Sequence, residues 1–358
     1  MKPLMKHEFK RILLPTLSLI AISCIVCGVM LNLNMSFTAE AYVIGVERYK
    51  MFIGVFLDVY PILLIFSAGI IMWLVYSQFH EDKVDGTGDF IATLPYTQKE
   101  KFVNKVWVGT IAIFISALIG IILAYTVYNT YFYYTESMCV NSIFGEEIMA
   151  KSGFVNTLLV MVNGYLGILI WYLFLVVFQY SVYSTIGGIV IGTLSVISIP
   201  YILNGITMYL EPVANLGRNI TDPVMALLYK LVFCLMPVQY MDICYSNGEC
   251  GLYVITLAND YHIKLLVLIS IIVILFTMSK CLAKKYGLTS RKTLMINKVV
   301  EYIFKIGVTV CSALIPVVFL EIFLGSSDYG MFVITLFIIL TGAIGYIISH
   351  KITVKGRG

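Results

Sequence analysis

Residues 12–31 read ILLPTLSLIAISCIVCGVML, twenty positions without a single charged side chain. About 20 such residues form a helix that crosses a hydrocarbon core of ~30 Å. Basic residues precede this run, as they do in a secretory signal peptide: Lys2, Lys6, Lys10 and Arg11. The apolar run is longer than a signal core, however, and no small-residue cleavage site follows it. We therefore predict an uncleaved first membrane span.

Seven further segments are of similar length and carry few or no charged side chains. Of the whole chain, 60% is hydrophobic and 12% charged, with a mean hydropathy of +0.93, against roughly 45–50% and 25% in soluble domains. In lipid the backbone must satisfy its own hydrogen bonds, which favours helices for segments this long. We predict an all-α polytopic membrane protein with eight transmembrane helices, at 12–31, 56–77, 107–127, 157–178, 185–203, 264–282, 307–324 and 331–349.

The lysines and arginines set the orientation. Eight crossings place both termini on one side, and 18 of the 24 basic residues then fall on that side. The positive-inside rule puts it in the cytoplasm, with the protein in the plasma membrane. The net charge of +4 is too small to indicate a nucleic-acid partner.

Residues 223–241, before the sixth span, are apolar but hold Lys230 near their middle. Burying that lysine in lipid costs roughly 2.5–3.5 kcal/mol. A ninth span here would also send the most basic loop, 280–305, outside. We predict instead a re-entrant or interfacial helix on the outer face, capped by Asp222 and with Pro223 in its first turn.

Side chains that could perform chemistry are scarce. The sequence has no phosphate-binding loop, no HExxH and no GxSxG, and no His or Cys spacing typical of a metal site. We predict no catalytic residue, no metal and no cofactor bound by this chain. Asp58 and Glu321 are expected at the outer interface. Cys244 and Cys250 bracket a turn-like sequence and are candidates for an outer disulfide.

The loop after the second span has the most informative pattern. Thr87 or Asp89 can cap a short helix, and Pro95 ends it. Its apolar side chains share one face at i, i+1 and i+4 spacing, and basic residues follow before the third span. The helix either rests on the bilayer or docks in a groove on a soluble partner. The apolar residues are Phe90, Ile91 and Leu94, and the basic ones are Lys99, Lys101 and Lys105.

At these positions the chain resembles the ABC-2 family of ABC-transporter permeases. That family opens with a short basic amphipathic segment, here His7-Glu8-Phe9-Lys10-Arg11. Between its second and third spans it carries an acidic residue, a Gly-Thr pair, an apolar patch, Leu-Pro, a polar turn and a lysine. Gln98 stands where family members often have arginine. The matching residues are Glu81, Gly86, Thr87, Phe90, Ile91, Leu94, Pro95, Thr97 and Lys105.

The resemblance implies a permease subunit of an ATP-driven exporter. A second permease subunit, identical or related, and cytoplasmic ATPase subunits would complete it, and ATP and Mg would bind to the ATPase. The substrate path would run between permeases along spans two and five. Residues 1–282 would form the six-span core, 283–306 a basic cytoplasmic loop and 307–358 an additional hairpin and tail.

The resemblance also implies roles for individual residues. The helix at 89–94, which includes Asp89, and the residues that match the family pattern would transmit the closure of the ATPase dimer to the spans. Membrane lipid would contact the N-terminal segment on the inner leaflet, through Lys6, Phe9, Lys10 and Arg11. Two other classes stay open: an ion-coupled secondary transporter, and a membrane sensor or scaffold that transports nothing.

Overall fold

The apolar segments of the sequence form helices. A computed structural model describes residues 2–43, 52–84, 93, 95–133, 154–213, 241–245, 253–257, 261–286, 298–324 and 331–355. All eight predicted spans coincide with helices of this part of the chain, apart from Ile12 at the start of the first span, which forms a turn. The helices are α1 (Lys2–Arg11), α2 (Leu13–Ser23), α3 (Leu31–Val43), α4 (Phe52–Lys83), α5 (Gln98–Thr130), α6 (Phe154–Gln179), α7 (Thr185–Val213), α8 (Tyr261–Tyr286), α9 (Lys298–Leu324) and α10 (Met331–Lys355).

Length and hydropathy make this a multi-pass helical membrane protein. Among the described residues, six helices are long and apolar enough to cross a membrane. The fifth and seventh predicted spans overlap shorter apolar stretches, Thr185–Ser198 and Phe304–Val317, which belong to the longer helices α7 and α9. The six are Leu13–Glu40, Phe52–Lys83, Gln98–Thr130, Phe154–Gln179, Tyr261–Lys285 and Ile334–Lys351.

The first span contains a π-helical segment, Cys24–Met30, between α2 and α3. Such wide turns are rare inside α-helices. Just before it, Ser23 Oγ lies 2.8 Å from Ser116 Oγ of α5, and Ser116 donates a 2.9 Å hydrogen bond to the Leu19 carbonyl. Small hydroxyl side chains therefore join the first and third spans.

A β-hairpin that the sequence analysis did not predict precedes α8. Strands β1 (Met241–Tyr245) and β2 (Tyr253–Leu257) pair antiparallel, with Tyr245 opposite Tyr253. Five-residue strands are too short to stand out in a hydropathy profile, although β2 is rich in β-branched residues. The predicted outer helix at 223–241 lies outside the described residues, except for Met241, which begins β1.

The described residues form two compact units. The first comprises the described parts of Met1–Gln78, Tyr96–Leu173 and Cys234–Lys280. The second comprises those of Phe79–Pro95, Phe174–Phe233 and Cys281–Gly358. The division passes through α4, α6 and α8, so each of these helices contributes to both units. The domain boundaries drawn from the sequence stay predictions.

Three tyrosines of the first unit pack against glycines of a neighbouring helix. A Cβ atom at Gly164 would overlap the hydroxyl of Tyr60. The Tyr60 hydroxyl also donates a 3.3 Å hydrogen bond to the Met161 carbonyl. In lipid, small residues of this kind let helices approach closely. The other two pairs are Gly109 with Tyr172 and Gly120 with Tyr165.

Candidate functional site

A buried ion pair links the N-terminal helix to the third span. Lys105 Nζ of α5 lies 2.8 Å from Glu8 Oε1 of α1, and the two side chains are 2% and 4% exposed. Arg11 Nη1 lies 3.6 Å from the same oxygen, one turn along α1. Two cations therefore face one carboxylate where water is excluded. That geometry fixes α1 against the start of α5.

Gln78 and Tyr172 extend this ion pair to two more helices. Lys105 Nζ donates a 2.7 Å hydrogen bond to the Gln78 carbonyl, and Gln78 Nε2 donates a 3.0 Å bond to the Lys105 carbonyl. The hydroxyl of Tyr172 lies 3.0 Å from Gln78 Oε1. We call Glu8, Arg11, Gln78, Lys105 and Tyr172 the Glu8 network. It joins α1, α4, α5 and α6 within the first unit.

A second buried lysine organises the turn between α6 and α7 in the second unit. Lys83 Nζ, at the end of α4, donates 2.8 Å hydrogen bonds to Gln179 Oε1 and to the Val182 carbonyl. Gln179 Nε2 donates a 3.1 Å bond to the Thr185 carbonyl. Lys83 is 8% exposed and Gln179 fully buried. We call Lys83, Gln179, Val182 and Thr185 the Lys83 network.

The helix that follows the predicted docking segment starts with a capping box. Thr97 is the N-cap of α5, and its hydroxyl accepts a 3.2 Å hydrogen bond from the backbone N–H of Glu100. The Glu100 carboxylate in turn accepts a 2.8 Å bond from the Thr97 backbone N–H. This reciprocal pair satisfies donors that the first turn leaves open.

The residues predicted to couple to an ATPase are only partly described. Glu81 and Pro95 are exposed. Lys105 is buried in the Glu8 network, so its side chain acts inside the unit and is not offered to a soluble partner. The remaining residues of the predicted site lie outside the described part of the chain: Gly86, Thr87, Asp89, Phe90, Ile91 and Leu94.

The predicted leaflet-facing residues of α1 separate into two groups. Lys6 and Lys10 are exposed, and Phe9 is half-buried. The Arg11 side chain is only 7% exposed and turns inward beside Glu8. The predicted contact of Lys6 and Lys10 with lipid stays a prediction, whereas Arg11 contributes to the interior.

Sequence reasoning missed seven of the nine residues of the two networks, and for four of these seven a signal is present in the sequence. Glu8 is the only acidic residue in a helix rich in cations, and it pairs internally. Gln78 and Gln179 are uncharged polar residues at the ends of apolar helices, where a buried amide needs partners. Lys83 follows the carboxylates Glu81 and Asp82, which makes it resemble an ordinary solvated charge cluster.

No group of three metal-ligating side chains occurs among the residues that the structure describes. Cys24, Cys27, Cys281 and Cys311 are free thiols. Cys244 lies in β1 opposite Val254. Cys250 is outside the described residues, so the disulfide between Cys244 and Cys250 stays a prediction.

Comparison with known proteins gives no relative. No family model matches the chain, and neither a curated protein nor a solved structure is similar to it.

Proposed function

We propose that this chain is the membrane-spanning permease subunit of an ATP-driven exporter of the ABC-2 type. It crosses the plasma membrane eight times with both termini in the cytoplasm. It pairs with a second permease subunit, a copy of itself or a relative, and forms the substrate path with it. ATP and Mg bind to a separate ATPase subunit, which docks on the segment between α4 and α5.

The ion pair between Glu8 and Lys105 carries this proposal. The resemblance depends on two stretches that are far apart in the sequence, the basic segment of α1 and the segment that ends at Lys105. The 2.8 Å contact between Nζ and Oε1 brings these two stretches together. This contact supports a shared role, since a permease receives force from its ATPase on the cytoplasmic side.

The same contact supports the predicted topology at the start of the chain. For α1 and the first turns of α5 to touch, they must lie on one side of the membrane. Two crossings between them, through the first span and α4, meet that requirement. The concentration of lysine and arginine in α1, at the end of α4 and the start of α5, and in the 280–305 region favours the cytoplasm for that side.

Copurification tests the proposal. The tagged chain, purified from its native host in mild detergent, is expected to bring down a P-loop ATPase identified by mass spectrometry. The double substitution Phe90→Asp and Leu94→Asp is expected to release it, because two carboxylates would enter an apolar contact. Tyr133→Asp is the matched control, since Tyr133 is 81% exposed and lies three residues past the opposite end of α5.

Other outcomes point to the rival classes. A wild-type chain that purifies without any ATPase contradicts the proposal. Transport that survives ATP depletion and stops when the proton or sodium gradient collapses would identify a secondary transporter. A sensor or scaffold would show neither the ATPase nor transport.

A further inference from the structure

We propose that Lys83 is a positioning residue that carries movement of the end of α4 to the turn between α6 and α7, and so to the start of α7. This inference rests on the proposed function, because the movement comes from an ATPase docked on the segment that follows Lys83. Lys83 does not belong to the family pattern. The inference makes it the link between the docking segment and two helices of the substrate path.

Lys83 Nζ donates hydrogen bonds to the end of α6 and to the turn itself. Gln179, which accepts one of its 2.8 Å hydrogen bonds, is the last residue of α6. Val182, whose carbonyl accepts the other, lies within the turn. The chain of bonds continues from Gln179 Nε2 to the carbonyl of Thr185, the first residue of α7. Three hydrogen bonds therefore connect the end of α4 to the end of α6 and the start of α7.

The turn has little freedom to absorb a displacement. Only residues 180–184 separate α6 from α7, and Tyr180 and Val182 are 2% and 0% exposed. The Val182 N–H donates a 2.9 Å hydrogen bond to the Phe178 carbonyl, which continues the α6 pattern into the turn. Because the turn is short, buried and bonded, it is expected to shift as a unit when Lys83 shifts.

Separation of Lys83 from the turn is unfavourable. It would leave the buried Lys83 Nζ without its two acceptors, and it would leave Gln179 Oε1 and the Val182 carbonyl without a donor. Gly188 adds a steric constraint, because a Cβ atom there would lie 2.8 Å from Gln179 Nε2. The Gln179 side chain is thus held close against α7 on one side and by Lys83 on the other.

Lys83 also stands at the right point of the chain. Val84, the next residue, is 41% exposed, so Lys83 is the last buried residue at this end of α4. Force applied to the predicted docking segment therefore reaches Lys83 before any other buried residue of α4. The helices that Lys83 joins, α4 and α7, contain spans two and five, along which the resemblance to ABC-2 permeases implies the substrate path.

Hydrogen–deuterium exchange of the whole permease–ATPase complex tests the inference. The complex is reconstituted in lipid nanodiscs and compared without nucleotide and after trapping with ATP and vanadate. Peptides covering residues 178–190 are expected to exchange differently in the two states of the wild type. In Lys83→Met this nucleotide-dependent difference is expected to be lost, with the ATPase still bound.

The matched control is Lys99→Met, an exposed lysine near the start of α5, which is expected to keep the difference. A purely structural role for Lys83 would lower the unfolding temperature and leave the difference in place, which would overturn the inference. Should Lys83→Met fail to fold, Gly188→Ala replaces it. That substitution displaces Gln179, so the difference is expected to shrink, and an unchanged difference would again overturn the inference.

The remaining outcomes separate the inference from the proposed function. A wild-type complex that binds its ATPase but shows no nucleotide-dependent change in the turn contradicts the inference and leaves the proposed function standing. A wild-type chain that binds no ATPase contradicts the proposed function, and the inference fails with it.

Discussion

Glu8 and Lys105 are 97 residues apart in the chain, yet their side chains form a 2.8 Å ion pair that is almost completely buried. The pair makes α1 part of the first unit instead of a helix that merely rests on the bilayer. An amphipathic N-terminal helix held only by lipid would leave its carboxylate in water. Here the carboxylate is enclosed, so the position of α1 depends on α5.

Lys105→Met is expected to destabilise the protein strongly. It removes the closest cation from a buried carboxylate and also removes the donor to the Gln78 carbonyl. Breaking a buried ion pair from one side costs about 3–5 kcal/mol. Thermal unfolding of the purified protein in detergent measures the loss. Lys99→Met, at an exposed position in the same helix, is expected to change stability little.

The double substitution Glu8→Gln and Lys105→Met is expected to cost less than the two single changes added together. Once the carboxylate is gone, the missing ammonium no longer leaves a buried charge unpaired. Directly bonded pairs typically show coupling of about 0.5–3 kcal/mol in such cycles. Strict additivity would show that the two side chains do not pair in the folded protein.

Gly164→Ala is expected to destabilise the contact between α4 and α6. The new methyl group would overlap the Tyr60 hydroxyl, which is buried and bonded to the carbonyl of Met161. Overpacking of this kind costs about 1–3 kcal/mol. The measurement is the unfolding temperature in detergent.

Gly69→Ala is the matched control for this substitution, since nothing lies within 4 Å of a Cβ at Gly69 in α4. Alanine is a better helix former than glycine by roughly 0.5–1 kcal/mol. Gly69→Ala is therefore expected to leave stability unchanged or slightly raised. Equal losses at both positions would contradict the close packing of Tyr60 against Gly164.

Hydropathy predicted the helices of this protein because the membrane imposes the same requirement on every span. Apolar length and charge-free composition suffice to locate a helix such as α5, whatever its neighbours. The hairpin of β1 and β2 lacks such a signal. Its two short strands depend on pairing with each other, which a window along one segment does not detect.

The buried networks depend on contacts between distant segments. The local sequence around their lysines therefore does not show that these lysines are buried. Lys105 and Lys83 look like surface charges in the sequence, because basic residues usually flank a span in water. Their burial depends on Glu8 and Gln179, which lie almost a hundred residues away. The sequence shows Glu8 as the acidic residue of α1, but it does not show that Glu8 pairs with Lys105.

Thr97→Ala is expected to loosen the first turn of α5 without unfolding the protein. The substitution removes the hydroxyl that caps the Glu100 N–H. Loss of an N-cap costs ~1 kcal/mol. This corresponds to an increase on the order of fivefold in the equilibrium constant for local opening of the first turn. Hydrogen–deuterium exchange of a peptide covering residues 97–104 is expected to speed up by about that factor. Thr97→Ser keeps the capping oxygen and should exchange like the wild type.

Eight crossings predict a specific pattern for reporters fused along the chain. Helices α7 and α9 have 29 and 27 residues, and at ~1.5 Å per residue both exceed a ~30 Å hydrocarbon core. If both cross, a reporter that works only in the cytoplasm is expected to be active after residues 290 and 358. It is expected to be silent after residues 45 and 328, where a reporter that works only outside the cytoplasm should be active. Silence of the cytoplasmic reporter at both 290 and 358 would mean that the basic loop lies outside and that α7 or the segment after it crosses differently. That result would remove the positive-inside argument, whereas activity of the cytoplasmic reporter after residue 45 would remove the proposed orientation of the docking segment.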